Sequence, residues 1–166
     1  MLSTRSAAAS DVKLILEFIR GLAEYEREPH AAVATEADLL RDGFGDQPKF
    51  RVDIAEWHGK PAGFAFYFFN YSTWLGKPGL YLEDLFVWPE FRGNGIGKAL
   101  MVHLARVAVR EHCYGMRWQV LDWNTPAIEF YESMRASVRR EWLDVILREE
   151  PLRALAESGA KPWVEH

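Results

Sequence analysis

The chain has 166 residues, 49% of them hydrophobic and 14% aromatic, with 20 Lys+Arg against 24 Asp+Glu and a formal net charge of -4. This composition excludes a disordered, collagen-like or low-complexity chain, and the length suits one domain with its own core. The acidic balance lacks the basic excess of a dedicated nucleic-acid binder, and the single Cys113 excludes an intramolecular disulfide.

The first residues, 1–10, carry no apolar signal-peptide core, and no apolar run reaches the roughly 18 residues of a spanning helix. The expectation is a cytoplasmic protein without a membrane segment. A short first strand is expected over 5–9. Ser10 or Asp11 then caps a helix whose apolar face is Leu14, Ile15, Phe18, Ile19 and Leu22. A second helix opens at Thr35, with Asp38 at the capping-box position and Gly43 as its stop. Residues 50–57 alternate, with Phe50, Val52 and Ile54 on one face and Arg51, Asp53 and Ala55 on the other. A turn over 58–61 joins them to the aromatic run 62–69, which reads as a buried strand and closes a hairpin.

Residues 80–87 form another buried strand. A glycine-rich turn leads into a helix over 97–112, with Leu100, Leu104, Val107 and Ala108 on its apolar face. A strand over 116–121 follows, then a helix over 125–134 with Pro126 in its first turn. A last strand is expected over 141–147 and a short helix over 152–156. The order is β-α-α-β-β-β-α-β-α-β with a terminal helix. It defines an α/β (α+β) domain over 4–158 with a mixed sheet of about six to seven strands, and a tail over 159–166.

The segment Arg92-Gly93-Asn94-Gly95-Ile96-Gly97 stands between a strand and a helix. Glycines let the backbone turn its N–H groups inward, and a helix N-terminus adds unpaired donors and partial positive charge. A phosphate fits such a turn, and Arg92 and Lys98 add charge. The spacing is not a Walker A loop, because Ala99 stands where Ser or Thr is required. It is not a dinucleotide fingerprint, because Lys98 stands at the third glycine. On glycine pattern alone, a tight turn without a ligand remains open.

What remains is R-x-x-G-x-G between a strand and a helix. This resembles the coenzyme A pyrophosphate loop, Q/R-x-x-G-x-G/A, of the GNAT family of N-acetyltransferases. The segment Asn124-Thr125-Pro126-Ala127-Ile128-Glu129-Phe130-Tyr131 is similar to the family's later N-x-x-A-x-x-x-Y motif. The runs LAEYE (22–26), LLRDGFG (39–45), YSTWLG (71–76) and YLED (81–84) resemble the diamine (spermidine/spermine) acetyltransferase group. Within it, YSTW and LDWN (121–124) resemble the thialysine acetyltransferase branch.

The resemblance implies a GNAT fold, acetyl-CoA as co-substrate and no metal. It implies direct transfer to a primary amine of a lysine-like amino acid such as thialysine, or of a diamine or polyamine. It also implies a homodimer through the C-terminal strand. A protein-lysine or N-terminal acetyltransferase, and a coenzyme A-binding module without turnover, stay open beside it. Two positions depart from the pattern. Ser72 stands where a polyamine-specific enzyme carries an acid, and Arg135 stands where the family carries glycine. A non-glycine residue in the left-handed region costs about 1 kcal/mol.

Acetyl transfer to an amine needs a neutral amine, donors for the thioester oxygen and a proton or donor for the leaving thiolate. By the resemblance, Tyr131 serves the thiolate and Glu83 handles the amine, with Asp84 as a second carboxylate. Adjacent strand residues face opposite sides, so Glu83 and Asp84 do not share a pocket merely by being neighbours. Leu85, Phe86 and Val87 offer main chain to the pantetheine arm. Arg92, Gly93, Asn94, Gly95, Ile96, Gly97 and Lys98 take the pyrophosphate. Asn124 is a cofactor contact or, equally, a helix cap. Tyr25, Glu26, Trp74 and Asp122 complete an acidic, aromatic acceptor pocket suited to a cation. His30, His58, His103, His112 and His166 show no metal-ligand spacing, and Cys113 has no partner that would make it a nucleophile.

Overall fold

The structure, a computed structural model, describes residues 1–159, so the expected tail over 159–166 lies, apart from Gly159, outside the described residues. One compact unit spans Met1–Gln119 and a second begins at Val120. The first is built on a five-stranded sheet, rather than the six to seven strands expected, in the order β1 (Leu2–Ser6), β2 (Arg51–Trp57), β3 (Lys60–Ser72), β4 (Lys77–Val87) and β5 (Met116–Arg117). The first four strands are antiparallel neighbours, while β5 lies parallel to β4. Helix α3 (Ile96–Arg110) supplies the crossover that a parallel pair requires.

Helices α1 (Val12–Tyr25) and α2 (Glu36–Gly43) precede β2. Helix α1 buries Ile15, Leu16 and Phe18 against Val52, Ile54, Phe64 and Phe86. Phe18 stacks on Phe64 at 5.1 Å between ring centroids and meets Trp88 at 5.5 Å. Helix α3 packs on β1, β2, β3 and β4. Strand β2 is therefore covered on both faces, and Asp53 is 1% exposed rather than on an open polar face. So buried a carboxylate persists because it is fully bonded. It accepts from Ser6 Oγ at 2.8 Å and Tyr67 Oη at 3.0 Å, and His103 Nε2 lies 2.9 Å away.

The ends of the elements differ from expectation in instructive ways. Strand β1 begins three residues earlier than the alternation suggests and stops at Ser6, after which Ala9–Asp11 make a single 3-10 turn. Asp11 does not cap α1. Its carboxylate takes the Ala8 N–H at 2.8 Å and both terminal nitrogens of Arg5. The Thr35–Asp38 capping box forms as read, with Asp38 N–H on Thr35 Oγ1 at 3.2 Å and Thr35 N–H on Asp38 at 3.0 Å. Gly43 ends α2 for a packing reason, since a Cβ there would stand 2.4 Å from the Phe50 ring.

The second unit holds helices α4 (Thr125–Ser133) and α5 (Glu149–Glu157), the latter longer than the 152–156 expected. The expected strand over 141–147 does not form, and strand β5 keeps only Met116–Arg117 of the expected 116–121. A strand needs a ladder partner, and none accompanies 141–147 among the described residues. Helices α1, α3 and α4 each end in a Schellman motif whose left-handed residue is not glycine. The residues are Arg27 (φ 66), His112 (φ 55) and Arg135 (φ 66). At α4, Ala136 N–H reaches Tyr131 O at 3.2 Å and Arg135 N–H reaches Glu132 O at 2.8 Å. The turn over 134–136 thus keeps its geometry despite the arginine. No helix among the described residues is long and apolar enough to cross a membrane.

Candidate active site

Strand β4 changes character halfway along. Leu80 and Tyr81 pair with β5, but beyond Tyr81 no ladder joins the two strands. Among the described residues no strand lies beside one edge of β4 from Leu82 to Val87, an arrangement that can meet an extended ligand. The other edge is held by β3 through Leu85↔Ala65, Phe86↔Phe64 and Val87↔Gly63. The parting of strands expected at Leu85, Phe86 and Val87 is thus seen in the sheet.

A bulge sits at the start of this open half. Phe66 pairs with Asp84 and Tyr67 with Leu82, which leaves Glu83 as an extra residue without a partner. Bulges reset the alternation and re-aim side chains. Leu80 and Leu82 lie on one face, and past Glu83 the same face takes Leu85 and Val87. Asp84 and Phe86 are thereby turned to the α1 face, beside Phe66 and Phe64. The opposite-face argument for neighbouring residues fails here, because it assumes an unbroken ladder. Glu83 and Asp84 act on one another, and Glu26 joins them from the C-cap of α1. Burial, then the charges of Glu83 and Glu26, push the Asp84 carboxyl up to about 7. Burial also raises Glu26 above the usual carboxylate range.

The end of α1 is docked onto the end of β4. Gly21 allows this, since a Cβ there would lie 2.6 Å from the Trp88 ring. One turn later, Tyr25 lies under the Arg92 guanidinium, 4.8 Å from carbon to ring centroid. Arg92 also lies 5.7 Å from the Phe86 ring, and its Nε donates to Val87 O at 3.0 Å.

The loop after β4 has the form its sequence suggests. Gly93 and Gly95 have φ of 79° and 74°, and a Cβ at either would meet nothing within 4 Å. Conformation, not space, demands glycine there. Asn94 Nδ2 folds the loop by donating to Phe91 O at 3.0 Å and Arg92 O at 3.3 Å. Gly95 is the N-cap of α3 and supplies no side-chain cap. Among the described residues the main-chain N–H groups of Gly93, Asn94, Gly95, Ile96, Gly97 and Lys98 have no backbone partner. Donors so arranged at a helix N-terminus are able to take an anion.

Trp74 is not brought to this site. It lies in the β3–β4 connection, 95% exposed. Asp84 is seven positions along β4 from its first residue, Lys77, a rise of about 23 Å.

In the second unit, Asn124 is buried and caps α4, its Oδ1 accepting Ala127 N–H at 3.3 Å. Tyr131 lies two turns further along the same helix and is half-buried, with its ring 5.3 Å from Phe130. Asp122 is exposed. Among the described residues no group of three or more His, Cys, Asp or Glu is placed to hold a metal ion.

Sequence reasoning missed the bulge and the contacts of Gly21 and Arg92. The bulge had a signal: the aliphatic positions slip phase, from Leu80 and Leu82 to Leu85 and Val87. The contacts of Gly21 and Arg92 had none, because they depend on tertiary packing.

A mixed sheet whose fourth strand opens beside a glycine-turned helix N-terminus is the fold of a known class of acyl-transfer enzymes. Residues 15–135 match the acetyltransferase (GNAT) family. The chain is 38% identical over 163 residues to thialysine N-epsilon-acetyltransferase of Mus musculus, covering 92% of this chain and 95% of that protein. It is 42% identical over 139 residues to spermidine/spermine N(1)-acetyltransferase-like protein 1 of Homo sapiens, covering 80% of this chain and 20% of that protein. An integron cassette protein from the mobile metagenome of V. cholerae has a similar structure, with a TM-score of 0.79 and 29% identity over 95% of this chain and 98% of that one. The chain belongs to the GNAT family and is an N-acetyltransferase. The family takes its acetyl group from acetyl-CoA.

Proposed function

We propose that this chain transfers acetyl from acetyl-CoA to a primary amine of a small cationic acceptor: a lysine-like amino acid such as thialysine, or a diamine or polyamine. One observation carries the reading. The open half of β4 has three carboxylates near its start and an unpaired set of loop amides after its end. An anion and an extended chain fit the second feature, and an ammonium fits the first.

On this reading, the amides of 93–98, with Arg92 and Lys98, hold the donor's pyrophosphate. Main chain at Leu85, Phe86 and Val87 lines the pantetheine arm, and Asn124 adds a contact beside its capping role. Tyr25, Glu26, Glu83 and Asp84 receive the acceptor, and Asp122 joins them. Trp74 is left out of the pocket of its own chain because of its place at the hairpin tip.

Glu26 and Glu83 hold the ammonium by charge. Asp84, held near neutrality, takes one of its protons directly or through water, which frees the nitrogen lone pair. Main-chain N–H groups of the open edge steady the thioester oxygen while the nitrogen bonds to the carbonyl carbon. The carbon–sulfur bond then breaks, Tyr131 gives the leaving sulfur its phenolic proton, and the second proton shed by the acylated nitrogen restores the phenol. No acetyl-enzyme is required.

The Mus musculus relative is named for thialysine, which supports a lysine-like acceptor. Ser72, where an acid is expected for polyamines, supports the same choice. A homodimer is part of the reading. Trp142 is 70% exposed, Leu143 86% and Val145 92%, in a stretch whose sequence reads as a strand. The reading needs no metal, nucleic acid or membrane and assigns the enzyme to the cytoplasm.

The test is free-thiol release from acetyl-CoA with thialysine, lysine, diamines, spermidine and a basic peptide as acceptors. Selective turnover of one small cationic amine is expected. Preference for the peptide would make the protein a protein acetyltransferase instead. Tight coenzyme A binding with no thiol released from any amine would make it a non-catalytic module.

A further inference from the structure

We infer that Arg92 couples the two substrate sites, its guanidinium set over Tyr25 on the acceptor side and its two terminal nitrogens left for the donor's pyrophosphate. The inference rests on the assignment above of the loop to the donor and of the α1 end to the acceptor.

The geometry separates the parts of one side chain. Arg92 Nε is committed to Val87 O at 3.0 Å, at the end of the open strand. The guanidinium lies 4.8 Å over the Tyr25 ring and 5.7 Å from Phe86. Its two terminal nitrogens have no hydrogen-bond partner among the described residues. A cation–ring contact uses none of the guanidinium's N–H donors, so those on the terminal nitrogens stay available to an anion. Lysine has no such division, because its ammonium is a single point charge.

Tyr25 is the last residue of α1, and Glu26, its C-cap, is one of the three carboxylates. A group that fixes Tyr25 therefore fixes the helix end that presents Glu26. An anion on the terminal nitrogens restrains the arginine, and through it the ring and the helix end. The amine then meets a pocket already ordered. Coupling of this kind is reciprocal, so an amine bound at the carboxylates must tighten the donor equally.

The experiment measures the Kd of coenzyme A by calorimetry, without and with saturating thialysine, or the panel amine acetylated fastest if that is another. The wild-type protein is expected to bind coenzyme A about 3- to 10-fold more tightly with amine present. Tyr25→Phe keeps the ring face and should keep the coupling. Tyr25→Leu removes it and should bring the ratio to about 1 at an amine concentration shown by calorimetry to saturate that variant. Arg92→Lys should also lose the coupling. Equal coupling in the wild type and Tyr25→Leu would overturn the inference, as would loss of coupling in Tyr25→Phe. A wild-type protein that releases thiol normally but shows no coupling overturns this inference alone. A wild-type protein that binds no coenzyme A overturns the functional reading with it.

Discussion

The two compact units solve the problem of apolar surface differently. In Met1–Gln119 the large apolar side chains of α1 and the sheet are consumed internally, and Phe18, Ile54, Phe64 and Leu80 are all 0% exposed. In the unit that begins at Val120, Leu143, Val145 and Ile146 stand in solvent, and among the described residues only Asn124 is buried. The first unit is specified by its own sequence. Among the described residues, the second carries strand-forming residues with no strand to join, and in the proposed homodimer another chain covers them.

The largest expected effect lies in the first unit. Phe18→Ala should cost about 3–5 kcal/mol, because it opens a cavity among Phe64, Phe86 and Trp88. Urea denaturation checks it, and a loss under 1 kcal/mol would mean that this core is less tightly packed than described. Next comes Asp84, whose folded carboxyl holds its proton up to about 7. Between the ordinary aspartate range and pH 7 the folded state binds the extra proton, so wild-type stability falls as pH rises through that window. Asp84→Asn lacks this loss. Its advantage over wild type should grow from about pH 4 to pH 7 and then level off, at about 1–3 kcal/mol.

A smaller gain is expected at the helix ends. Arg135→Gly should raise stability by about 1 kcal/mol by relieving a left-handed arginine, and His112→Gly should act likewise. Thermal melts distinguish these from the neutral outcome expected if the Schellman turns were absent. The smallest effect on stability belongs to the exposed stretch. Val145→Asp should change the melting of the dilute protein by less than about 0.5 kcal/mol, yet convert a dimer to a monomer in sedimentation. A large loss of stability there would mean that Val145 is part of a core within its own chain.

Local rules were legible in the sequence and tertiary ones were not. The Thr35 box, the glycines of the loop before α3 and the Asn124 cap followed from backbone chemistry within a few residues. The five-stranded sheet fell short of expectation at 141–147, because alternation describes a strand's faces and not whether a neighbour exists. The burial of Asp53 was hidden by the same alternation, since only the packing of α3 over that face places His103 against it. At the site, Glu83 and Asp84 were found but their mutual arrangement was not, because one bulge overturns the face assignment. Glu26 entered only through the family resemblance. Its convergence with them depends on Gly21 and Trp88, which bring α1 onto the strand.

The central proposal is that the three carboxylates select a cationic amine while the donor is held elsewhere, by the loop and the open edge of β4. The most direct test is the combined variant Glu26→Gln, Glu83→Gln and Asp84→Asn, assayed for thiol release against the preferred amine, with coenzyme A affinity measured in parallel. Acceptor kcat/KM should fall by about 100-fold or more, as loss of charged hydrogen-bond partners implies, while the Kd for coenzyme A stays within about twofold. An unchanged acceptor kcat/KM, or a loss matched by equal weakening of coenzyme A, would contradict it.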